Sequence, residues 1–155
     1  MIRTAVCLLV LAAVGAALAA TADDGDEAAV DAVLAKYLAT ATWPGDPEFD
    51  PKIFSEDVRA WWSSGKTYEG RKAATAAVVN AHRELEREFV KFKPVVTGKR
   101  LVVKGDLAWV ACNIDLIGEL TKERGEFHKR IRSTFVFEKR DGRWRISHEH
   151  SSRLP

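Results

Sequence analysis

The chain has 155 residues, 46% of them hydrophobic and 30% charged, with a formal net charge of +2. That length supports one domain around one core, and the composition excludes an intrinsically disordered chain. Basic and acidic residues are intermixed and nearly balanced, so nothing indicates a nucleic-acid-binding surface.

The first twenty residues stand apart. Met1 to Thr4 carries Arg3, Ala5 to Leu18 is almost wholly apolar, and Ala17-Leu18-Ala19 gives a small-x-small pattern. This reads as a signal peptide over residues 1–20, with cleavage after Ala19, Ala20 or Ala22. The apolar run is short for a membrane span and no stop-transfer charges follow it. The expectation is a periplasmic or secreted protein, free of the membrane once the leader is cut. Cys7 leaves with the leader, so Cys112 is alone and no internal disulfide forms. The core must hold residues 21–155 together unaided.

Thr21 to Glu27 is a polar, acidic lead-in in which Asp24 or Asp26 can cap a helix running to about Thr40. Val30, Val33, Leu34, Tyr37 and Leu38 recur at helical spacing along it. Trp43-Pro44-Gly45-Asp46-Pro47 reads as a loop. Pro51 to Asp57 reads as a helical turn with Ile53 and Phe54 inward, and Val58 to Ser63 as a strand. Gly65 and Gly70 bracket a tight connection around Tyr68. Arg71 to Phe89 is predicted as a long helix, with Ala74, Val78, Ala81, His82, Leu85 and Phe89 inward. Four antiparallel strands follow: 90–104, bent near Pro94 and Gly98, then 107–120, 127–139 and 143–151. Asp141-Gly142 is a strong hairpin signal. Segregated helices and strands indicate an α+β fold in which a curved sheet wraps the helices.

Three stretches carry a resemblance. They are F-x-x-D-V-x-A-W-W from Phe54 to Trp62, Y-E-G-R from Tyr68 to Arg71, and D-G-R-W-R-I-S-H-E-H-S-S from Asp141 to Ser152. With the element order, they resemble the SnoaL-like family of the nuclear transport factor 2-like, or ketosteroid isomerase-like, superfamily. The branch containing the calcium/calmodulin-dependent protein kinase II association domain looks nearest. The resemblance covers about residues 25–152, and the closing motif is its most specific part. It implies a cone of curved antiparallel sheet and helices around an internal pocket, with a homodimer formed through the sheet. No phosphate loop or dinucleotide fingerprint is present, and no cofactor is expected. Members include isomerases, cyclases, dehydratases, transport factors and assembly domains, so fold alone does not give function.

His148 and His150 share one strand face with Trp144 and Ile146. Three readings compete for them: a metal site completed by His82 or His128, a pocket mouth where they bind ligand or act as acid and base near neutral pH, or bonding to hydroxyls of neighbouring strands. H-x-H alone is a weak metal signal, and no metal is expected. Tyr37 stands, by the resemblance, where ketosteroid isomerases carry an oxyanion-stabilising tyrosine. The same resemblance puts Trp62 where those enzymes place an aspartate base, and Ser133 or Thr134 where they place a second acid. Steroid isomerisation is therefore disfavoured. Asp115 and Glu149 are the remaining acids, and Glu149 alternates away from the histidines. Trp61 and Trp62 face opposite sides of their strand. Arg130 and Arg132 share a face that either looks into the cone, where Arg132 could hold a carboxylate, or out to solvent. Cys112, among apolar neighbours, reads as inert core.

The sequence thus points to an exported protein that binds a small, partly apolar molecule. His148 and Tyr37 are the candidate catalytic groups; Trp62, Arg132 and His150 are the candidate ligand-binding groups. A lyase or isomerase using a pocket histidine is one alternative, and a non-catalytic assembly module is another.

Overall fold

The structure is a computed structural model that describes residues 24–45, 49–122 and 125–154. The expected leader and most of the acidic lead-in lie outside the described residues. Helix α1 spans Asp24–Ala39 and α2 spans Arg71–Glu88; the strands are β1 Phe54–Trp61, β2 Thr67–Glu69, β3 Phe89–Lys104, β4 Leu107–Leu120, β5 Glu126–Arg140 and β6 Arg143–Arg153. They form one six-stranded sheet in the order β2-β1-β6-β5-β4-β3. All pairings are antiparallel except β1 with β6. The architecture is α+β, with both helices on the concave side of a curved sheet.

Local chemistry accounts for most of these elements. The β5–β6 hairpin turns at Asp141 and Gly142, with φ of 53° and 70°. A two-residue turn with both φ positive matches the right-handed twist of the strands it joins, which is why Asp-Gly is favoured there. One stripe of α1 is buried through Val30, Leu34 and Tyr37. It packs on a core that includes Phe54, Val58, Val110, Phe135, Phe137 and Ile146. Phe54, Phe135, Phe137 and Ile146 are almost fully buried, and each contributes roughly 1.5–3 kcal/mol.

Four sequence expectations change. Asp24 and Asp26 sit inside the first turn of α1 and do not precede it as caps. Asp26 instead accepts from Trp144 Nε1 at 2.9 Å and from Lys139 Nζ at 2.7 Å, tying the helix start to the β5–β6 hairpin. The helical turn is confined to Pro51–Ile53, where Asp50 accepts from the Lys52 amide; β1 begins at Phe54. Tyr68 lies on a short strand of its own, paired with Ala60.

The fourth change is the most consequential. On β5, Phe137 pairs with Ile146 and Val136 pairs with His148. Ser147 is an extra residue in β6, a β-bulge, and its hydroxyl donates to the Val136 carbonyl. Because side chains alternate with period two, one inserted residue exchanges the faces beyond it. Trp144 and Ile146 are buried before the bulge, and Glu149 and Ser151 are buried after it. His148 and His150 therefore emerge on the convex side.

Candidate active site: a buried carboxyl at the end of an apolar cavity

An open cavity of about 280 Å³ lies between the helices and the concave sheet. Leu38 and Ala41 close it from the α1 side, Ala81 and Leu85 from α2, and Ile114 and Ile131 from the sheet. Glu84 and Glu88 of α2 also line the cavity, and Glu149, Tyr37, Trp62 and Ser151 are the polar groups gathered at one end.

These four are joined by hydrogen bonds. Tyr37 Oη donates to Glu149 Oε2 at 2.6 Å, and Trp62 Nε1 donates to the same oxygen at 3.1 Å. Ser151 Oγ donates to Glu149 Oε1 at 3.1 Å and lies 2.8 Å from Ser133 Oγ. Burial raises the Glu149 carboxyl above the ordinary glutamate range, and the three donors only partly offset that cost. Burial, and then the charge of Glu149, push the Tyr37 phenol well above its usual value. Tyr37 therefore acts as a donor. Its ring is fixed edge-on to Phe54 and Phe135, each at a centroid distance of 5.8 Å.

A carboxylate has about four acceptor sites. Three are filled, so Oε1 retains one. When protonated, the same group becomes a donor. One residue can thus accept from a bound molecule, donate to it, or move a proton.

Of the sequence candidates, Tyr37 and Trp62 come together here. His148, His150 and Arg132 do not. The two histidines pack on the edges of the exposed Trp61 ring, at centroid distances of 5.2 and 5.8 Å. Burial and the neighbouring His150 lower the pKa of His148. Arg132 is exposed and pairs in register with Asn113 and Ser152. The histidine orientation follows from the bulge; that of Arg132 follows from ordinary alternation, since Ile131 and Ser133 are buried. His82 Nδ1 lies 3.0 Å from the Thr40 carbonyl, where it donates and ties α2 to the end of α1. His128 Nε2 bonds Asp115, which also accepts from Arg130 Nε at 2.9 Å. Those two bonds, Arg130 first, hold the Asp115 carboxyl below the usual range. Among the described residues, no three His, Cys, Asp or Glu side chains gather as a metal site requires. Cys112 is buried and its thiol is pushed up to about 11 by desolvation.

Glu149 is the group the sequence reading passed over. Its neighbours His148 and His150 carried the more conspicuous chemistry, and within β6 no apolar residue after Ile146 reports the change of face.

A SnoaL-like domain model matches residues 30–155. The chain belongs to this family. Similar solved structures share the fold. An NTF2-like protein with a cystatin-like fold from Novosphingobium aromaticivorans is 20% identical, with 84% of this chain and 82% of that one covered and a TM-score of 0.68. A hexachlorocyclohexane dehydrochlorinase, LinA-type3, from Novosphingobium barchaimii is 19% identical, with 84% and 88% covered and a TM-score of 0.62. A protein with a cystatin-like fold from Caulobacter vibrioides is 20% identical, with 83% and 89% covered and a TM-score of 0.64. No curated protein matches the chain. The finer placement beside the kinase association domain rests on the sequence motifs alone.

Proposed function

We propose that this SnoaL-like domain takes a small, mostly apolar molecule into its cone, with one end of that molecule against the Glu149 carboxyl that Tyr37 and Trp62 hold. The observation that carries the reading is an open apolar cavity ending on a buried, hydrogen-bonded carboxyl. Its volume of about 280 Å³ lies near the lower limit of small-molecule sites, roughly 300–1,000 Å³, and suits one or two rings. Calorimetric titration with 2-naphthamide, a flat neutral bicycle with a polar end, tests it. Wild type is expected to bind, and Ala81→Phe, which fills the cavity from α2, is expected to bind much more weakly. Absence of heat with wild type at millimolar probe would refute the reading.

A second reading is a cofactor-free lyase or isomerase that uses acid–base chemistry. The buried Glu149 carboxyl favours it, because burial raises its affinity for a proton and abstraction next to a carbonyl requires a positioned base. The acid–base group would be Glu149, since no histidine lines the cavity. Deuterium uptake by 2-tetralone in D2O, followed by NMR, tests this. Wild type should exceed the protein-free rate and Glu149→Gln should not; equal rates for the two proteins would remove catalysis and leave binding.

Two further features complete the proposal. The convex face exposes Trp61, Trp109 and Ile117, which supports a homodimer through the sheet, and light scattering of the purified protein measures it. The apolar start of the sequence supports export, which N-terminal sequencing of protein recovered from the cell exterior or periplasm tests.

A further inference from the structure

The concave face of β5 is apolar or small through Phe127, Ile131, Ser133, Phe135 and Phe137, but a cation interrupts it. Lys129 pairs in register with Leu116, a cavity residue, and is half-buried. Its ammonium donates to Ser63 Oγ at 3.1 Å and makes no ion pair among the described residues. A partly buried ammonium held only by a neutral hydroxyl has lost hydration without a compensating charge. Lys129 lines a vestibule that shares Trp62, Ala81, Glu84 and Leu116 with the cavity. Lys66, Arg83, Arg87 and Lys129 face that vestibule against Glu84 and Glu86, so cations outnumber carboxylates there. Arg153 adds positive potential from the other side of Lys129.

We propose that the molecule held in the cone is an amphipathic carboxylic acid whose carboxylate pairs with Lys129 and Ser63 at the mouth, while its apolar body fills the cavity. This rests on the binding reading above. Burial lowers the Lys129 pKa, as an ammonium awaiting an anion would show. The orientation is fixed by charge. At the inner end, Glu149 repels a carboxylate, and its donors Tyr37 and Trp62 are already engaged. Ser133, which bonds the Ser151 hydroxyl next to Glu149, stands four residues from Lys129, about 13 Å along the strand. A bicyclic carboxylic acid spans that distance once the lysine stem leans inward.

The test compares 2-naphthoate with neutral 2-naphthamide by calorimetry on wild type, Lys129→Met, Lys129→Gln and Lys129→Arg. Wild type should prefer the carboxylate by about tenfold, the gain of one charge-assisted pair. The Met and Gln variants should bind both probes alike, at the wild-type affinity for the amide, and Arg should restore part of the preference. Wild type binding both probes equally, or either neutral variant keeping the preference, would overturn the carboxylate subsite and leave the cavity reading intact. Failure of wild type to bind either probe would overturn both.

Discussion

Glu149 can be removed in two ways with opposite consequences. Glu149→Ala deletes the acceptor that Tyr37 Oη and Trp62 Nε1 share. Both donors are then stranded against an apolar cavity at roughly 1–3 kcal/mol each, so the variant should lose about 2–6 kcal/mol. For a domain of this size that is a fall in Tm of roughly 7–22 °C. Ser151 does not add to the loss, because Ser133 still bonds it. Glu149→Gln keeps a carbonyl oxygen where Oε2 stands, and its amide can donate to Ser151, so no bond is lost. What it removes is the charge.

The sign of the pH dependence follows from burial. The folded chain holds the Glu149 proton to higher pH than the unfolded chain, whose carboxyl titrates near 4.5. Wild type is therefore most favoured, as far as this group is concerned, below that pH, and loses stability as pH rises through the raised folded value. Glu149→Gln has no such loss, so its Tm should climb relative to wild type across that window and then hold a constant lead. Asp26, Asp57 and Asp115, whose carboxyls are held low by hydrogen bonds, are present in both chains and cancel in the difference. Calorimetric melting of the three proteins between pH 4 and 8 decides the matter. A Gln variant that runs parallel to wild type at every pH would refute the argument, as would an Ala variant equal in stability to Gln.

Other consequences follow from the same geometry. His148→Ala and His150→Ala should each cost about 0.5–1 kcal/mol through the lost Trp61 edge contacts, with 2-naphthamide affinity unchanged by titration. A large loss of binding in either would mean that these rings reach the cavity. A methyl group on Gly118 would stand 2.7 and 2.9 Å from Phe89 ring atoms and 3.0 Å from the Lys91 carbonyl. Gly118→Ala should therefore destabilise by about 1–3 kcal/mol in urea unfolding. With its thiol pushed up to about 11 and buried, Cys112 should react with a maleimide at pH 7 only as fast as the chain opens. Rapid labelling of native protein would contradict that placement.

The fold was legible because periodicity and turn chemistry agree throughout most of the chain. The α1 stripe, the long α2, the Asp-Gly hairpin and the four long strands all lie within a few residues of where their patterns place them. The pocket was half legible. Tyr37 falls on the buried stripe of a helix, and Trp61-Trp62 must divide between two sides, so those side chains could be placed from spacing. Arg130 and Arg132 left a binary choice that only the sheet's curvature resolves: the apolar face of β5 turns toward the helices. Lys129 was not legible, because its value depends on standing opposite Ser63, a contact across 66 positions. The closing strand misled because alternation was carried through Ser147, and no local signal marks the inserted residue.

That single insertion decides what kind of site this is. Without it, two imidazoles would face the cone. With it, the inner end presents a buried carboxyl shared by a phenol and an indole, and the imidazoles pass to the face where Trp61 and Trp109 are exposed. The cavity then has opposite character at its two ends, an acid inside and the ammonium of Lys129 at the mouth. Such a site discriminates by direction as well as by shape. A neutral apolar molecule could enter either way round, whereas one bearing a carboxylate is stabilised with its anion outermost and its far end against Glu149. Any chemistry the buried carboxyl performs would then fall on the end of the molecule remote from its acid group.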